Sequence, residues 1–152
     1  MKSSCPLITT LLILASLADG HTLAVPFFSD SAGLLQQGGV TTGNAGFIGL
    51  KNTTSSSIVI DIVYLYRDDQ GFTVRQPPQK YTMQPNIGIS WRPFSDDPAE
   101  GPGRAVPNVL AGGKPAGSVL ISWHGGTLGK NSLTGRYVQL SNASAFAHVI
   151  RN

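Results

Sequence analysis

Apolar and polar residues alternate along much of this chain with a period of two. The densest instance is 57–67, SIVIDIVYLYR. Ile58, Ile60, Ile62, Tyr64 and Tyr66 fall on one side; Ser57, Val59, Asp61, Val63, Leu65 and Arg67 fall on the other. Successive side chains of a strand point to opposite faces, so the pattern predicts a strand whose Ile/Tyr face meets a core. Its β-branched and aromatic content suits that half-buried setting. Asp68-Asp69-Gln70-Gly71 follows as a turn, with Gly71 free to take positive φ, and 72–75 returns as the second arm of a hairpin.

The same reading places strands at 23–28, 45–51, 79–84, 87–92, 118–124, 136–141 and 145–150. Pro26 cannot donate to a ladder, so 23–28 is expected at a sheet edge. No helical period of adequate length occurs beyond the N-terminal apolar run. Short strands parted by turn signals predict an all-β fold, an antiparallel β-sandwich. The immunoglobulin-like arrangement is the first expectation and a jelly roll the alternative. The tripeptide Ile-Ser-Trp occurs twice, at 89–91 and 121–123, which suggests two strands that each set a Trp beside aliphatic residues.

The pattern fails over 93–116. Five of the ten prolines are here, interleaved with Gly101, Gly103, Gly112 and Gly113. A loop of that length in a compact domain is expected to be either functional or loosely ordered.

The N-terminus changes the picture of where the chain goes. Lys2 precedes an apolar run, 6–17, of about a dozen residues, the length of a secretory signal peptide and short for a membrane span. The expectation is a signal peptide at 1–18, with cleavage between 18 and 24, and a single domain over 19–152. The destination would be the periplasm, the cell surface or the extracellular space. The single cysteine, Cys5, would leave with the signal. A mature chain without disulfides leans toward a bacterial exported protein. Asn52-Thr53-Thr54 and Asn142-Ala143-Ser144 are glycosylation sequons.

Charge narrows the function classes. The 11 Lys and Arg stand against 8 Asp and Glu, and the cations are scattered singly along the chain. No basic stripe forms, which argues against nucleic acid as a partner. His-Glu-x-x-His and Gly-x-Ser-x-Gly are absent. The run 125–132, GGTLGKNS, has the wrong spacing for a phosphate-binding loop. His21, His124 and His148 show no ligand spacing. The chain is therefore read as non-catalytic and without an obligatory cofactor.

Two candidate sites remain. Asp96, Asp97 and Glu100 offer several oxygens to a calcium ion, against the plainer reading of a solvated turn. Trp91 and Trp123 could stack sugar rings on a sandwich face, against the plainer reading of core tryptophans beside Ile89 and Ile121. The leading expectation is a protein that acts through protein contacts or as a self-associating structural subunit, by strand addition at a sheet edge. The segment 21–31, HTLAVPFFSDS, is the suspect for completing a neighbour's sheet, weighed against its forming the first strand of its own domain. A glycan-binding module, with or without calcium, is the alternative.

Overall fold

The computed structural model describes residues 20–32, 42–68, 70–94, 106–109, 113–124, 128–141 and 144–150. The expected signal peptide with Cys5, the acidic positions Asp96, Asp97 and Glu100, and the sequon Asn142 lie outside them. Nine strands run through the described residues: β1 (His21–Ser29), β2 (Asn44–Asn52), β3 (Ile58–Asp68), β4 (Thr73–Arg75), β5 (Gln79–Met83), β6 (Gly88–Trp91), β7 (Gly113–Trp123), β8 (Leu133–Ser141) and β9 (Ala145–Ile150).

They form two antiparallel sheets packed as a sandwich. The first has the order β1-β7-β3, with β4 and β5 both pairing the far side of β3. The second has the order β6-β2-β8-β9. The alternation in 57–67 explains why β3 sits inside its sheet. Ile58, Ile60, Ile62, Tyr64 and Tyr66 all enter the shared core, where they meet Ile48, Leu50 and Tyr137 from the second sheet. The β3–β4 turn forms where the sequence places it. Asp68 Oδ1 accepts from Gln70 N at 3.0 Å and Phe72 N at 2.8 Å, and Gly71 has φ 86°.

Both prolines that fall inside strands sit where the ladder is irregular. The β1–β7 register shifts between Val25 and Phe28, around Pro26. The β3–β7 register shifts between the pairs Tyr66–Gly117 and Asp68–Gly113, around Pro115. A proline has no N–H to give, and a bulge removes the demand for one. β7 therefore starts at Gly113, and the loop expected at 93–116 is shorter than its composition suggests.

The segment 21–31 is used within its own chain. β1 pairs β7 along its length, and Leu23, Val25 and Phe28 are buried in the core. The two Ile-Ser-Trp copies lie in different sheets, on β6 and β7, and both turn Ile and Trp inward.

Candidate functional site

The ends of the proline-rich segment are pinned from inside. Asp30, just past β1, and Arg92, just past β6, are both fully buried. Arg92 Nε donates to Asp30 Oδ1 at 2.8 Å and Arg92 Nη2 donates to the same oxygen at 2.5 Å. Nη2 also reaches the Ala32 carbonyl at 2.6 Å, while Phe94 N donates to Asp30 Oδ2 at 2.9 Å. Burial raises the Asp30 pKa above its usual value. The Arg92 hydrogen bond, the Phe94 amide and the Arg92 charge pull it back down, and the Gly46 amide adds to them. Desolvating two charges offsets most of what their attraction returns, so such a pair adds little net stability. Its effect is to join three chain segments at one point.

Trp91 supplies a second pin. Its Nε1 donates to Tyr64 Oη at 2.8 Å, and Tyr64 Oη donates to the Pro107 carbonyl at 2.7 Å. Val109 N donates to the Pro93 carbonyl at 2.7 Å, and Val106 and Val109 are buried. Residues 92–94 and 106–109 are thus built into the core.

This geometry decides the tryptophans. Trp91 and Trp123 are both 0% exposed, so neither offers a face to a sugar ring, and the stacking platform considered for them is corrected. The cause is the inward alternation they share with Ile89 and Ile121. Trp123 packs against His21, ring centroids 5.5 Å apart, and its Nε1 has no hydrogen-bond partner among the described residues. His21 Nε2 lies 3.0 Å from the Leu128 carbonyl oxygen, His124 is exposed, and His148 stacks on Phe146. Among the described residues, no three of His, Cys, Asp or Glu gather where a metal could sit. The calcium expectation at Asp96, Asp97 and Glu100 falls on residues outside the description.

The sequon at Asn52 is closed off by the fold. Asn52 is fully buried; its Nδ2 donates to Ser56 O at 2.7 Å and Gln84 O at 3.0 Å, and its Oδ1 accepts from Thr54 N at 2.9 Å. The amide that a glycan would modify is consumed in tying the β2–β3 and β5–β6 connections together.

Two surface features remain. The first is the edge of β9 that no other strand among the described residues pairs. Ala145, Phe146, Ala147, His148 and Val149 are all exposed, and only Ile150 is buried. The second is a groove of ≈ 570 Å³ on the outer face of the second sheet. It crosses Gly88 and Ser90 of β6, Gly49 and Lys51 of β2, Thr134 and Arg136 of β8, and Val149 of β9. The register sets Gly49 between Ser90 and Arg136, and Lys51 between Gly88 and Thr134. No Asp or Glu occurs in any strand of this sheet. Neither Lys51 nor Arg136 makes an ion pair among the described residues.

Sequence reasoning missed the Asp30–Arg92 clamp, since nothing local links positions so far apart. It also missed the groove, although the lack of acids in four strands was visible.

No protein-family model and no curated protein matches the chain. A solved structure described as the crystal structure of Thermotoga maritima 1070 is similar at a TM-score of 0.48. The two share 12% identity over 86% of this chain and 90% of that one.

Proposed function

We propose that this chain is a non-catalytic, exported β-sandwich subunit that assembles by strand addition at the free edge of β9. One observation carries the reading: among the sheet edges of the described residues, β9 alone lacks the devices that keep edges apart. β1 has Pro26 and a bulge. β4 and β5 are three and five residues long and carry Arg75 and Lys80. β6 has four residues. β9 runs Ala-Phe-Ala-His-Val-Ile, with no proline, lysine or carboxylate. An exposed apolar edge of this kind is a template for another strand.

Export rests on the composition of 1–18. Cleavage after Ala24 would remove Leu23 from the core, whereas cleavage after Ala18 or Gly20 leaves β1 whole. An immunoglobulin-like connectivity is also proposed. The neighbours β1-β7-β3 and β2-β8-β9 follow the B-E-D and C-F-G orders of that fold, with β4 to β6 as an excursion between the fourth and fifth positions.

Sedimentation velocity over a concentration series tests the assembly. The expected result is concentration-dependent oligomers for the wild type and a monomer for Ala147→Lys, which puts a charge on the edge without removing a contact. A wild type that stays monomeric at every concentration, or an Ala147→Lys variant that associates equally well, would count against it.

A further inference from the structure

We infer that the groove on the outer face of the second sheet receives an extended acidic peptide segment of a partner protein. The inference rests on the reading of this chain as a protein-contact module and gives it a second surface, the outer sheet face that ends at Val149 beside the β9 edge.

The charge arrangement points to the ligand. Lys51 pairs with Thr134, and Arg136 pairs with Gly49, so the two cations are diagonal neighbours on one face. Diagonal positions on adjacent strands lie roughly 7–8 Å apart. The two positive side chains share this face, and no carboxylate occurs in the sheet's four strands. Two cations elsewhere among the described residues do meet a carboxylate, Arg92 with Asp30 and Lys80 with Asp61. A carboxylate set between Lys51 and Arg136 would meet both, with the hydroxyls of Ser90 and Thr134 as further partners.

Two glycines hold the site open. A Cβ at Gly49 would come within 3.2 Å of Arg136 Cγ, so the missing side chain lets the arginine lie flat across the sheet. Gly88 is different. A Cβ there would meet only the Leu50 carbonyl oxygen, at 3.6 Å, and its φ is not in the left-handed region. The fold does not require glycine at this position, and any larger side chain would fill the groove.

The shape favours a peptide over a glycan. No aromatic ring lines the groove, so a sugar has nothing to stack on. The groove crosses four adjacent strands, about 14 Å at ~4.8 Å per spacing, the length of roughly four extended residues. Alternation in an extended peptide turns every second side chain to one face, so acids at alternate positions would all meet the cations.

Fluorescence anisotropy with a labelled Glu-Thr repeat peptide tests this. Gln-Thr peptide is the uncharged control and polygalacturonate the glycan competitor. At low salt the Glu-Thr peptide should bind and the Gln-Thr peptide should not, and added salt should weaken binding by screening. Lys51→Gln and Arg136→Gln should each weaken binding about tenfold, or about 1.4 kcal/mol. Gly88→Leu should weaken it comparably with an unchanged melting temperature; if that variant unfolds, the two charge variants still decide. Unaltered affinity in both charge variants, equal binding of the Gln-Thr peptide, or stronger binding of polygalacturonate through the same residues would overturn the inference. The β9 reading is judged separately by sedimentation, so either can fail alone.

Discussion

β1 and β9 occupy equivalent places in the sandwich, each the outermost strand of its sheet, and they are built in opposite ways. β1 drives Leu23, Val25 and Phe28 into the core, carries a proline bulge, and runs directly into the buried Asp30. β9 has one buried residue, Ile150, and leaves Phe146 half exposed over Tyr137, ring centroids 6.2 Å apart. The first is an edge in hydrogen bonding only; energetically it is interior. The second contributes a ladder to β8 and little else. Position at an edge does not determine what a strand does. The burial of its inward face and the presence or absence of a blocking device do.

Substitutions on β1 should have the largest effects. Phe28 is fully buried, edge-on to Tyr64 at 6.3 Å and close to Phe94 at 5.8 Å. Phe28→Ala should cost about 4 kcal/mol through lost burial and a residual cavity, read as a lower denaturation midpoint at unchanged m-value. Asp30→Ala should cost about 3 kcal/mol. It leaves the Arg92 charge inside without its acceptor and strips the Phe94 amide of its partner. A loss under about 1 kcal/mol would show that the clamp is not closed in solution.

Much of this contrast was legible in the sequence. The period of two in 57–67 and in the Ile-Ser-Trp copies located the core faces, because burial on one side of a strand must recur at every second residue. Pro26 marked β1 as an edge, since a ladder cannot use it. What stayed hidden depends on contacts between distant positions. Nothing near Asp30 announces Arg92, and nothing in 21–29 shows that this edge is covered while 145–150 is not. Phe146, His148 and Ile150 share a face by alternation, yet only Ile150 is buried, because the cover comes from other strands.

A smaller effect would sharpen the comparison by making β1 resemble β9. Pro26→Val restores an N–H within the bulge and frees the unfolded chain, costing about 0.5–1 kcal/mol. Phe27, 57% exposed beside it, then has an unblocked edge. The expected outcome is a modest loss of stability together with new concentration-dependent association. Association equal to that of the wild type would mean that the proline does not protect this edge.

Ala147→Lys is the smallest perturbation and separates folding from assembly. Ala147 is exposed and pairs Val138 across β8, so the lysine displaces no packed group. Its effect on stability should stay within about 0.5 kcal/mol, as for surface changes away from special features. Amide exchange along β9 provides the readout. In an antiparallel pair only alternate residues hydrogen-bond toward the neighbour, so a free edge should show fast and slow amides in alternation from Ala145 to Ile150. If a second strand adds to β9, the fast amides slow at high protein concentration in the wild type and remain fast in Ala147→Lys. Fast amides at every concentration in both proteins would make β9 an edge without a partner, and the difference from β1 would then concern stability alone.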